Sequence, residues 1–459
     1  MSLRRLSGLG TRLGIDRAVF LTLVGRVWGV GAGLVTIFFV TTALSPEQQG
    51  YYYTFYSLIA LQVFAELGLN YAIVQFGSHE MARLAWHPSG IVQGDPSARR
   101  RLQSLLHFAL VWYGVAALLM VMVLLPFGVH VFARAAGDAT DGALTVPWVL
   151  LVVFSALTLL INACTALLEA CGRVADMALV RLSQSMAASV AVWAVLAVGG
   201  GLYAVAAGCA MMVLAAGAWL VVKFRRFLAD LLFNREGGAG LAWRDEIWPF
   251  QWRIAISVMS GYLITQLFNP LLLASHGPVV AGQMGMSLQM IAAMNGAALA
   301  WITTKAPVYG QLIATRRRRD LDALFFRGLL QSSLVLVAGI LAVLVALYGL
   351  SASGTPYATR VLPFPEFALL CLACLANHFV VSEAVYLRAH KEEPFMALAV
   401  VNGIGTALLT ALLVPPLGSL GAVLAYTCTS LIVGLGGGTV VFVIKRRQWS
   451  TLAEAVGRV

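Results

Sequence analysis

Charge is scarce in this chain, and acidic charge is scarcest: Asp and Glu number 20 in 459 residues, charged residues of all kinds make up 11%, and 60% are hydrophobic. A water-soluble globule carries about 25% charged residues because its surface must be solvated. Together with a mean hydropathy of +0.85, this excludes the soluble class. Cysteine is sparse too. The six residues Cys164, Cys171, Cys209, Cys371, Cys374 and Cys428 lie in or at the ends of apolar runs, a pattern that suggests no disulfide or zinc framework. Enzyme signatures are missing. His79-Glu80 has Arg83 where a zinc-protease helix needs its second histidine, and Gly434, Gly436 and Gly438 supply only fragments of a nucleotide fingerprint. Neither a catalytic nor a metal site is expected. A net charge of +11 raises nucleic acid as a partner, but the basic residues are dispersed without interleaved aromatics, which argues against it.

What the chain does have is twelve long apolar runs, at about 18–40, 50–76, 105–126, 146–170, 177–198, 202–222, 248–273, 279–303, 328–349, 366–387, 395–414 and 418–443. Each is near the ~20 residues that a helix needs to cross a ~30 Å hydrocarbon layer. The expected fold is an all-α, multi-pass integral membrane protein of 12 transmembrane helices. Of the 31 Lys and Arg, all but Arg26, Arg134, Arg253 and Arg360 lie at the chain ends or between alternate runs. The positive-inside rule then places both termini in the cytoplasm. The first run is longer than the 7–15 residues of a signal-peptide core and is read as a membrane helix.

The halves look duplicated. At an offset of 219, Leu168-Glu169-Ala170 aligns with Leu387-Arg388-Ala389, Met177-Ala178-Leu179 with Met396-Ala397-Leu398, and Arg99-Arg100 with Arg318-Arg319. Two six-helix lobes are expected, residues 1–233 (helices 1–6) and 234–459 (helices 7–12), related by an axis along the membrane normal. Asn234-Arg235-Glu236-Gly237-Gly238 reads as linker, and Trp243, Trp248 and Trp252 suit an interfacial entry to helix 7. The series Gly25, Gly29, Gly33 reads as a small-xxx-small helix-packing seam.

Ionisable groups inside apolar runs are the stronger functional signal, because each costs roughly 2.5–3.5 kcal/mol to insert and so needs a partner or a wet cavity. Arg26 lies ~12 Å into helix 1, and Glu66 lies at a similar depth from the basic end of helix 2. Arg253 begins helix 7, and Lys305 ends helix 8 with a stem long enough to snorkel. Glu383, Glu169, His107 and His378 complete the set; a structural ion pair of Arg26 with Glu66, and core roles for the histidines, are the plainer readings. Among amides, Asn70, Asn162, Gln184, Asn295, Asn377 and Asn402 could line a polar cavity or serve as interhelical glue. The Arg316 to Arg319 run reads as a topology determinant in reach of lipid head groups.

The chain resembles a Wzx-type polysaccharide flippase of the MOP superfamily, which also holds lipid II flippases and multidrug MATE exporters. The resemblance covers nearly the whole length. It rests on the two-lobe, twelve-helix plan, on Gly50-Tyr51-Tyr52-Tyr53 running through Glu66-Leu67-Gly68-Leu69 to Gln75-Phe76 and Ser78-His79-Glu80, and on Tyr386-Leu387-Arg388-Ala389-His390-Lys391-Glu392-Glu393-Pro394. It implies lobes around a central cavity that opens alternately to each side of a bacterial cytoplasmic (inner) membrane, with no enzyme activity and no cofactor. The implied cargo is a polyprenyl-diphosphate-linked oligosaccharide for O-antigen or exopolysaccharide biosynthesis. Membrane lipids and polysaccharide polymerase machinery would be further partners. Arg26 and Arg253 best match the family's cationic diphosphate contacts, with Lys305 as a third; Glu66 and Glu383 are the candidates for coupling to H+ or Na+ or for charge pairing. The alternatives are a MATE-like ion-coupled drug exporter, which would favour acidic cavity charge, and a membrane-embedded glycan polymerase or ligase. The latter needs an outward-facing region larger than the short outer segments provide.

Overall fold

The computed structural model describes residues 17–136, 141–234, 240–390 and 393–456. Arg4, Arg5, Arg12, Arg235, Lys391 and Arg458, and the linker core 235–239, lie outside the described residues.

The chain is helical almost throughout. In order come α1 (Arg17–Ala43), α2 (Pro46–Ile59), α3 (Gln62–Glu66), α4 (Leu69–Met81), β1 (Leu84–Trp86), β2 (Val92–Gly94), α5 (Pro96–Ala136), α6 (Asp141–Ala170), α7 (Val174–Ala197) and α8 (Tyr203–Phe233). A π-helical turn (Trp243–Ile247) leads into α9 (Trp248–Thr265), α10 (Phe268–His276), α11 (Pro278–Thr303), α12 (Ala306–Ala314) and α13 (Arg318–Ala352). A 3-10 turn (Pro356–Arg360) precedes α14 (Phe364–Ala389), α15 (Met396–Leu417) and α16 (Ser419–Thr429), and a second π-helical segment (Ser430–Gly437) joins α16 to α17 (Gly438–Val456). Among the described residues, 11 helices are long and apolar enough to cross a membrane, and a bent pair, Pro46–Glu66 with Leu69–Met81 at 44°, makes up to 12. Large apolar side chains such as Val222, Leu412 and Ile432 are exposed on these helices, as a hydrocarbon solvent requires.

Two compact units make up the fold: one holds residues 17–44 and 58–259, the other 45–57 and 260–456. They do not coincide with 1–233 and 234–459. The physical reason is local packing. In the first unit Arg101 pairs with Glu80 at 2.8 Å and also with Glu246, Trp243 donates to Gln251 Oε1 at 2.9 Å, and Gly68 abuts Ile254, so the start of α9 stays with the first unit. In the second unit Gly50 lies so close to the Pro278 carbonyl that a β-carbon would sit 1.9 Å from its oxygen, and Tyr53 donates to Gln289 Oε1 at 2.5 Å. Residues 45–57 thereby belong with the second unit.

Two further features were not legible in the sequence. A β-hairpin follows α4, pairing Leu84 with Gly94 and Trp86 with Val92. Trp86 anchors it, donating to the Cys171 carbonyl at 2.8 Å beneath the Arg173 guanidinium, 4.2 Å from its ring centre. The glycine seam on α1 fails as a packing surface, because a β-carbon at Gly25, Gly29 or Gly33 would meet nothing within 4 Å. Helix α1 packs on α7 through aromatics instead: Trp28 and Phe39 flank Trp193, whose indole donates to Thr36 Oγ1 at 2.9 Å.

Candidate functional site

In the first unit the bent membrane crossing breaks beside Glu66. Glu66 ends α3, Leu67 and Gly68 both adopt left-handed conformations with φ of 46° and 67°, and α4 resumes at Leu69. A leucine in that region is strained, which is uncommon outside functional or tightly packed positions. The freed backbone is served locally: Trp112 donates its indole N–H to the Ala65 carbonyl at 3.2 Å, and Leu67 N–H bonds Val63 O at 3.2 Å.

The break turns Glu66 into a polar cavity of about 130 Å³, lined also by Asn70, Asn162, Thr165, Arg181 and Gln184, with Met177 and Val180 as its apolar wall. Asn162 lines the cavity beside the Glu66 carboxylate. Thr165 donates to the Asn162 carbonyl at 3.2 Å, and Gln184 is fixed by a 3.2 Å bond to Met212 O. Arg181 is paired with Glu169 across the α6–α7 junction. A carboxylate, three amides and a hydroxyl form a hard-oxygen set with room for water, able to hold a proton or a small cation.

The remaining predicted residues do not join this cavity. Arg26 is exposed on α1 and Arg253 on α9, the latter with its guanidinium 5.6 Å from the Trp252 ring centre; by packing both belong to the first unit. In the second unit Lys305 is half-buried, with its Nζ 3.3 Å from where a β-carbon on Gly328 would stand. Glu383 is buried on α14; its Oε1 accepts from Thr439 Oγ1 at 3.1 Å, while Oε2 is buried without a hydrogen-bond partner. His378 is fully buried between Ser332, 3.0 Å from Nε2, and Asn295, 3.3 Å from Nδ1. Asn377 binds Tyr426 and Ser430 at 2.9 and 3.0 Å. These second-unit amides act as interhelical glue, whereas Asn70, Asn162 and Gln184 line the cavity. The sequence reading missed Thr165, and it counted Arg181 only as a topology marker. The one available signal was Glu169 facing Arg181 across a short helix junction.

No family model matches the chain, and neither does any curated protein sequence. Solved structures do match, at low identity. An inward-facing multidrug resistance MATE family transporter of the MOP superfamily superposes with a TM-score of 0.68 at 14% identity, covering 94% of this chain and 96% of that one. A MOP superfamily transporter from Pyrococcus furiosus, described as having a binding pocket of reverse polarity, gives 0.57 at 14% over 95% of each. The lipid II flippase MurJ in an inward closed conformation gives 0.56 at 11%, over 94% of this chain and 87% of that chain. The chain is a multi-pass helical protein with the fold shared by these MOP superfamily transporters and flippases.

Proposed function

We propose that this protein is a flippase that carries polyprenyl-diphosphate-linked oligosaccharide across the bacterial cytoplasmic membrane by alternating access of two lobes, for O-antigen or exopolysaccharide biosynthesis. The supporting observation is cationic charge exposed on membrane-spanning helices of a MOP transporter fold: Arg26 stands on a helix of mean hydropathy 1.8, where a guanidinium facing hydrocarbon would be costly and one facing a wet path or an anionic cargo is not. A diphosphate with many sugar hydroxyls cannot cross hydrocarbon unaided. Arginine suits it because its planar fork makes paired, charge-assisted bonds to phosphate oxygens; Arg253 and Lys305 are the further candidates. The likeness to a lipid II flippase agrees with a lipid-linked cargo. Glu66, in its amide-lined cavity, is the proposed coupling site for H+ or Na+.

Reconstituted vesicles with a fluorescent diphosphate-linked glycolipid test this. Each charge-assisted contact contributes about 1.5–3 kcal/mol, so Arg26→Ala and Arg253→Ala are each expected to weaken apparent cargo affinity by roughly 10- to 100-fold. Undiminished flipping by a well-folded Arg26→Ala protein would remove the main support.

The Glu66 cavity and the MATE neighbours favour a second reading, an ion-coupled exporter of cationic drugs. A deletion strain separates the two: accumulation of lipid-linked units with loss of surface glycan supports the flippase, and drug hypersensitivity with normal glycan supports the exporter.

A further inference from the structure

Helices α12 and α13 are joined by a left-handed turn built on an arginine. Arg316 has φ +57°, its N–H donates to Ile313 O at 3.0 Å, and Arg317 N–H donates to Leu312 O at 2.9 Å. Such paired bonds close a helix C-terminus in which the left-handed residue is ordinarily glycine, because a β-carbon there is strained. Nothing in the packing demands arginine, since the side chain is exposed. Four arginines run in succession, and both nearby acids are occupied: Asp320 pairs with Arg317 at 2.8 Å and Asp322 with Arg446 at 2.7 Å. Arg316 and Arg319 are exposed and have no ion-pair partner among the described residues.

The level of the turn follows from its flanks. Trp301 and Val308 before it, and Phe326, Leu330 and Leu334 after it, are large apolar side chains exposed to the surroundings. Hydrocarbon-facing surface thus approaches the turn from both sides, and the guanidinium groups stand where that surface ends.

We infer that the 315–319 turn is a docking site for anionic phospholipid, with Arg316 and Arg319 binding head-group phosphate, and that arginine occupies a glycine position because its charge is needed at that level. Each basic residue near an anionic leaflet strengthens the association about fivefold, and the bidentate fork favours phosphate over a diffuse counter-ion atmosphere.

The full-length chain in nanodiscs of phosphatidylcholine, with and without phosphatidylglycerol, provides the test by thermal unfolding. In phosphatidylcholine alone, Arg316→Gly is expected to unfold about 1–2 °C higher than wild type, because strain is relieved. The rise in midpoint produced by phosphatidylglycerol should fall by half or more in R316G/R319Q, and Arg316→Lys, which keeps the charge but not the fork, should retain only part of it. Inorganic phosphate should not reproduce it. The inference is overturned if R316G/R319Q keeps the full phosphatidylglycerol response, if millimolar phosphate gives the same rise, or if Arg316→Gly lowers the midpoint in phosphatidylcholine.

Discussion

Glu66 and Glu383 are the same residue type, each within a membrane-crossing element, yet the first and second units treat them in opposite ways. Glu66 sits at a helix break and opens onto a cavity of about 130 Å³ lined by amides, a hydroxyl and Arg181. Glu383 is buried in unbroken helix with one hydroxyl partner and a second oxygen that has none and that lies 3.6 Å from where a β-carbon on Gly438 would stand. The lesson is that a carboxyl group becomes exchangeable through backbone geometry rather than residue type. A break supplies volume and unpaired polar groups, whereas a regular helix supplies walls.

The largest difference expected between them is functional. Glu66→Gln, keeping the shape and removing the charge, should lower gradient-driven transport tenfold or more while the protein folds normally; Glu383→Gln should stay within about twofold, since its carboxyl is buried in regular helix. Counterflow in reconstituted vesicles with an imposed ion gradient measures both, and equal losses would dissolve the distinction.

The break itself can be tested. Gly68→Ala places a β-carbon at φ 67° and 2.7 Å from Ile254 Cγ2, which should cost about 2–3 kcal/mol through strain and overpacking. Gly29→Ala, with nothing within 4 Å, should be neutral or stabilise by up to about 1 kcal/mol through helix propensity. Denaturation in detergent compares the pair, and a Gly68→Ala protein as stable as wild type would show that the break is soft.

A smaller effect separates the two carboxyl partners. Thr439→Ala removes the hydroxyl that serves Glu383 and should destabilise by about 1–2 kcal/mol, because a buried polar group is left unpaired. Asn162→Ala should cost less stability, since water in the cavity can replace the amide, but should reduce transport. The two thermal midpoints, set beside transport rates, decide the point.

The smallest effect lies outside the membrane segments, in the first unit alone. The side-chain bond from Arg101 holds the Glu246 carboxyl below its ordinary value of 4.5. A depressed folded value stabilises the protein above the unfolded value, and that contribution is lost as pH falls through the folded one. Glu246→Gln should therefore lower stability slightly at neutral pH and flatten the acid limb of a stability-versus-pH curve below about pH 4.5, where wild type loses the same contribution; an unaltered acid limb would show that the bond contributes nothing.

Much of this architecture was legible in the residues. The apolar runs predicted the membrane crossings because run length against hydrocarbon thickness is a local property. The second run also contained Glu66-Leu67-Gly68, yet nothing local showed that a leucine would turn left-handed there, or that Gly68 would pack tightly against Ile254, far along the chain. Asn162 and Gln184 were among the polar candidates, but so were Asn377 and Asn295, which bind other side chains. Amide type cannot distinguish a cavity wall from a hydrogen-bonded core. The β-hairpin escaped because its strands are three residues each and are fixed by Trp86 reaching Cys171.

The sequence by itself determined the membrane class, the number of apolar crossings and which charges lie within them, since hydropathy and charge asymmetry are sums over neighbouring residues. Tertiary structure decided which carboxyl group received a cavity, and it assigned residues 45–57 and the start of α9 to units other than their neighbours'. Those outcomes rest on contacts such as Gly50 with Pro278 and Arg101 with Glu246, made by side chains and backbones distant in sequence, and no local sum contains them.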